Sequence, residues 1–132
     1  MSRFTTKELI DFLLKLGIDP NTADCYMLWM ERYDSEPVHE IYILKEGETF
    51  DDLKNSYSCT ILPCWSRYAI QRLLPSQIEI NEEVCNLCIN NLDIKYITLD
   101  GSVLVGVKDD GGVEPIITML THVLTHEYRL PE

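Results

Sequence analysis

Four of the five cysteines fall into two spaced pairs, Cys59-x4-Cys64 and Cys85-x2-Cys88, about twenty residues apart. Thiolates at such spacings can hold a tetrahedral zinc ion, and a Cys-x2-Cys pair can also act as a redox dithiol. His122 and His126, one helical turn apart, can supply imidazole nitrogens to a mixed site or chelate a divalent cation by themselves. The local sequence favours a plainer use of the second pair. The stretch EEVCNLCINNL has no Gly, Pro or Lys between its cysteines to form the tight turn that points amides at sulfur. Placed on a helix, Cys85, Cys88, Ile89 and Leu92 recur at i, i+3, i+4 and i+7, a core stripe in which a reduced thiol serves as a small apolar residue. Glu82 and Glu83 would raise a neighbouring thiol's pKa. The expectation is a buried, inert pair and no cofactor.

Cys64 is the better nucleophile candidate. The spacing predicts a helix framed by Pro63 and Pro75, which puts Cys64 in its first turn, where the helix dipole lowers a thiolate's pKa. The Cys64–Trp65 pair resembles, over those two residues alone, the nucleophile sites of papain-like and transglutaminase-like enzymes. A Cys hydrolase also needs a base within hydrogen-bond reach, and His39, His122 and His126 are the three histidines present. The His122-x3-His126 spacing resembles half of a zincin site, but Val123 stands where the catalytic Glu would be and Glu127 follows the second His. Thr118, Thr125 and Arg129 share the histidine face, which is expected to look into solvent.

These residues need elements to hold them. TTKELIDFLLKLGID predicts a first helix capped by Thr5 or Thr6, with Leu9, Phe12, Leu13 and Leu16 as its apolar stripe and Gly17 as its stop. A second helix is expected from Asn21 or Thr22 to Pro37, making a helical hairpin. VHEIYI alternates as a strand, GETFDDLKNS is a loop with one turn capped by Thr49, and YSCTIL reads as another strand. INEEVCNLCINNLD reads as a helix capped by Asn81. IKYITL-DG-SVLVGV predicts a hairpin over about 94–107 with Asp100–Gly101 at its tip. That register sets Thr98 opposite Val103, Tyr96 opposite Val105 and Ile94 opposite Val107, on the core face. Ile97, Leu99 and Leu104 form a mixed second face that can serve as an interface to another copy or to a larger assembly. The last segment is expected to be a helix with Pro115 in its first turn, its β-branched residues keeping a strand as the alternative. The class is α+β, one domain over 1–132, with a short antiparallel sheet packed by the N-terminal helical hairpin, middle helices and a C-terminal helix.

Charge bounds the function. Eleven Lys and Arg oppose twenty-two Asp and Glu, a net −11, on a chain with 45% hydrophobic and 25% charged residues. That surface repels phosphate backbones and anionic lipid, so direct nucleic-acid or membrane-surface binding is disfavoured. The opening MSRFTTKELIDFLLKLG has no long apolar run, and no other stretch approaches a membrane span; the expected setting is the cytoplasm, with reduced thiols. Glu31, Asp34, Glu36, Glu40, Glu46, Glu48, Asp51 and Asp52 face only Arg32 and Lys45 along the chain, with Tyr33, Tyr42, Phe50 and Tyr57 interleaved. Acids mixed with aromatics suit capture of a basic protein. The leading expectation is therefore a non-enzymatic binding protein, of the inhibitor or immunity type. The alternatives are a small Cys-dependent or metal-assisted enzyme using Cys64 or His122/His126, and a subunit of a larger assembly.

Overall fold

The computed structural model of the chain describes residues 2–30, 38–56 and 60–130. The fold is α+β, with two antiparallel sheets, of three and four strands. The chain divides into two compact units, Phe4–Ala69 and Met1–Arg3 with Ile70–Glu132. No helix among the described residues is long and apolar enough to cross a membrane.

In the first unit, helix α1 spans Lys7–Lys15. The Thr6 hydroxyl accepts from Leu9 N at 3.3 Å, and Glu8 lies in the first turn. The helix ends in a Schellman motif: Ile18 N donates to Leu13 O, Gly17 N to Leu14 O, and Gly17 takes φ +89°. Its buried face is Ile10 and Leu13; Phe12 is exposed, so the stripe is rotated from the expected one.

Over the described part of the expected second helix, up to Met30, there is no α-helix; residues 31–37 lie outside the described residues. Pro20–Thr22 form one 3-10 turn, and strand β1 (Cys25–Met30) follows. It pairs antiparallel with β2 (Val38–Ile43) on one side and with β3 (Thr60–Cys64) on the other. A strand between two partners gains main-chain bonds along both edges, which outweighs the helix propensity of Met and Leu. Leu44 N donates to Asp24 O at 2.9 Å. Antiparallel alternation then makes Tyr26–Tyr42 a bonded pair and turns Tyr26 away from Pro63 in β3, so the proline nitrogen lies on the outer edge, where no donor is needed. Helix α2 (Phe50–Leu53) is the single turn capped by Thr49 that the sequence predicts, and the structure adds a capping box between Thr49 and Asp52. Helix α3 (Arg67–Gln71) starts four residues after Pro63, so Cys64 ends a strand instead of starting a helix.

The second unit is a meander, β4 (Gln77–Ile80), β5 (Glu83–Ile89), β6 (Asp93–Ile97) and β7 (Val103–Lys108), packed by α4 (Val113–His126). The stretch expected as a helix capped by Asn81 is instead a hairpin. Asn81 and Glu82 both take positive φ, 52° and 69°, in the two-residue loop between Ile80 and Glu83. Those angles match the primed turn that suits strand twist, and Asn tolerates them well. In the β6–β7 hairpin, Tyr96–Val105 and Ile94–Val107 pair as predicted, but Ile97, not Thr98, faces Val103. Leu104 is the extra residue of a bulge. Thr98 instead closes the loop, receiving Gly101 N and donating its own N–H to Ser102 O. Ile94, Tyr96 and Thr98 are buried, as the core-face reading requires, but Val103, expected on the same face, is exposed next to the bulge; Tyr96 Oη donates to Pro75 O at 2.7 Å. Helix α4 buries Ile116, Met119, Leu120 and Val123, so the last segment is the expected helix and not the alternative strand; Leu124 is exposed.

Candidate functional site

The residues singled out for chemistry separate into three places. The first surrounds Cys64. Its partner across the ladder is Cys25, and both thiols are fully buried. Thr5 Oγ1 donates to Cys64 Sγ, which donates to Thr5 O, each at 3.6 Å. Burial pushes the Cys64 thiol up, and the Asp24 charge adds to that; the Thr5 bonds pull the other way. Burial, then Asp24, then Cys64 push Cys25 up to about 12. The expected helix dipole does not act on Cys64 because the residue is in a strand, and the resulting thiol holds its proton. Around the pair runs a polar frame that motif reading missed: Trp65 N donates to Thr5 Oγ1 and Trp65 Nε1 to Thr22 Oγ1, both at 2.9 Å. Ser66 N and Oγ both donate to the Asp24 carboxylate, the former at 2.9 Å. Ser66 Oγ also receives Ala69 N at 3.2 Å, so Asp24 fixes the residue that caps α3. This arrangement fixes the end of β3 to the start of β1; it presents no ionised sulfur.

The second place is β5. Cys85 and Cys88 are three residues apart on a strand, so their side chains leave opposite faces. Cys85 is fully buried and donates to Glu83 O, while Cys88 is half-buried. The stripe expected from helical spacing does not exist in this geometry, and Leu92 is exposed. Burial, reinforced by Glu83, raises the Cys85 thiol. Cys59 lies outside the described residues. Among the described residues no three His, Cys, Asp or Glu side chains converge as a metal site.

The third place is the end of α4. The His122 and His126 rings lie against each other, centroids 3.9 Å apart and tilted by 37°, and Tyr128 joins them: its hydroxyl is 2.9 Å from His122 Nε2, and its ring stacks on His126. His126 Nδ1 lies 2.9 Å from His122 O, a contact that requires a proton on Nδ1. Partial burial and, after it, the charge of His126 lower the His122 pKa. The histidine face is solvent-facing, with Thr118 and Thr125 exposed and donating to helix carbonyls. Tyr128, just past the helix, could not be placed by periodicity.

Of the acidic stretch, Glu31, Tyr33, Asp34 and Glu36 lie outside the described residues. Glu46, Asp51 and Asp52 are exposed and Glu48 is half-buried. Several of them also hold local structure: Glu48 accepts from Lys45 N, Asp52 closes the capping box, and Asp51 exchanges bonds with Asn21 across thirty residues. The Asn21 bond and Lys54 keep the Asp51 carboxyl below the usual range. Phe50 is a correction: it is only 8% exposed and fills the core, so it offers nothing to a partner. Tyr57 also lies outside the described residues; among those described in this stretch, Tyr42 is the accessible ring, 42% exposed on β2 and stacked on Tyr26 at 5.5 Å, with its hydroxyl bonded to Glu40.

No family model matches the chain, and comparison with curated proteins and with solved structures finds no match.

Proposed function

We propose that this is a non-catalytic binding protein that docks a basic protein partner. The carrying observation is how the charge is distributed. The unit Phe4–Ala69 has twelve Asp and Glu against six Lys and Arg, and the remainder has ten against five, so each compact unit is acidic by itself. Lys7, Lys54 and Lys95 are engaged locally with Asp11, Asp51 and Asp93, at 3.0, 3.4 and 3.5 Å, which leaves them little reach toward the remaining acids. An acidic field steers cationic partners at long range, and exposed aromatic surface such as Tyr42 supplies contact energy. Inhibition of a basic enzyme in the cytoplasm, in the manner of an immunity protein, is the finer form of this reading.

The test is retention of basic proteins on the immobilised chain, followed by affinity measured against salt. Exposed attraction is screened beyond about 8 Å at physiological ionic strength. Affinity for the retained partner should fall steeply as salt rises; affinity indifferent to salt would overturn the proposal.

A second reading rests on the β6–β7 tip, where Leu99 is 95% and Leu104 40% exposed. Such apolar surface suits a subunit of an assembly or self-association. A monomeric mass by sedimentation at high protein concentration removes the self-associating form.

A further inference from the structure

Four strands lie at sheet edges, and three are protected against pairing. β3 has Pro63, its nitrogen on the outer side. β4 is four residues long, and its Glu79 N donates outward to Arg129 O at 2.8 Å. β7 has the bulge at Leu104, an interior glycine, Gly106, and Lys108. These are the usual devices that keep an edge from adding a strand. β2 has none of them: VHEIYI contains no Pro, Gly or Lys, runs in unbroken register with β1, and has no strand on its outer side among the described residues.

The register says which groups wait there. Because Leu44 N donates to Asp24 O, alternation directs the N–H and C=O of Tyr42 and Glu40 toward β1 and those of His39, Ile41 and Ile43 outward. The side chains flanking that edge are accessible: Ile43 is 75% exposed, and Glu40 and Tyr42 are exposed on the opposite face. From residue 40 to residue 52 five acids face one lysine, Lys45.

We propose that the outer edge of β2 is the docking site, and that its occupant is an extended segment of a basic partner added as a fourth strand to the three-stranded sheet. This rests on the binding function proposed above and names its mode. The incoming strand gains main-chain bonds from Ile41 and Ile43. Its side chains on the Tyr42 face meet Glu40 and the tyrosine ring, which suits Lys or Arg. Those on the other face meet Ile41 and Ile43, which suits Val, Ile or Leu. The ligand chemistry is thus an extended peptide alternating basic and aliphatic residues. A second copy of this chain is disfavoured because pairing two β2 edges brings two molecules of net charge −11 together.

The probe is a fluorescent peptide of alternating lysine and valine, about ten residues long, a full strand length. Its control has the same residues in two blocks. The protein variant is Ile41→Pro, which removes an outward N–H and leaves the β1 bonds and all charges in place. The alternating peptide should bind more tightly than the blocked one, and Ile41→Pro should weaken it about tenfold, the scale of one or two lost main-chain bonds. Amide exchange by NMR on the unaltered protein, independent of any variant's folding, should show the Ile41 and Ile43 N–H groups slowed by the peptide. Salt-sensitive binding with those two amides unprotected overturns strand addition and leaves the charge-driven function standing. No binding of any basic peptide or protein at low salt overturns both. Protection of the two amides without peptide, together with a dimer mass, overturns the choice of partner in favour of a second copy.

Discussion

Asp24→Ala tests the polar frame around the buried thiols. The carboxylate receives Ser66 N at 2.9 Å and Ser66 Oγ. Hydrogen bonds to a charged acceptor contribute about 1.5–3 kcal/mol each, and a half-buried N–H left without an acceptor keeps its desolvation cost. Asp24 is itself half-buried, so water recovers part of the loss. A net cost of about 2–4 kcal/mol follows. For a chain of 132 residues, about 1 kcal/mol moves Tm by about 4 °C, so the variant should melt about 8–16 °C lower by circular dichroism. Ser66→Ala, which keeps the Ser66 N bond, should lose less than half of that. The frame also has an electrostatic readout. Asp24 is the second cause, after burial, of the raised Cys25 pKa. In Asp24→Ala the Cys25 thiol should therefore ionise below pH 12 yet above its ordinary value of 9.0, because burial persists. Thiolate absorbance across an alkaline titration measures it. A Tm within about 2 °C of the parent, on a scale of about 4 °C per kcal/mol, together with an unmoved Cys25 titration would refute the account of Asp24 as the fixing group.

Two pH dependences follow from the remaining shifts. Cys25, Cys64 and Tyr96 are all raised by burial, so the folded chain keeps protons that the unfolded chain releases. Their contribution to stability is therefore fully present below pH 9.0, the ordinary thiol value, and is lost as pH rises above it; a urea midpoint constant into strongly alkaline solution would contradict this. His122 has the opposite sense. Its folded pKa lies below the ordinary 6.5, so the unfolded chain binds the proton first and stability falls as pH drops through 6.5. The urea midpoint should flatten over that range in His122→Gln, and an NMR titration placing His122 above 6.5 would remove the basis for it.

The sequence by itself determined the elements whose signals are local. Thr6 and Gly17 bound α1, Thr49 starts α2, the alternation of VHEIYI makes β2, and the stripe of α4 buries Ile116 to Val123. Each of these is set by residues within a turn or two of one another, through side-chain bonds to nearby amides or through periodic burial. The acidity of the surface was equally legible, since charge needs only counting. Cys25, Cys85 and Cys88 lie in strands where helical spacing suggests helices, because β1 and β5 are interior strands, each paired on both sides. CYMLWM and EVCNLCI have apolar spacing that a helix can also use. What makes them strands is main-chain bonding to neighbouring strands, through Cys64, remote in the chain, for Cys25, and through Ile78 across a tight hairpin for Cys85. The tertiary structure alone decided that Cys85 and Cys88 face opposite ways, that Phe50 turns inward, and that β2 has no outer neighbour among the described residues. All three depend on which strands become neighbours, and backbone groups are alike at every residue, so the choice of neighbour is made by the packing of the whole sheet.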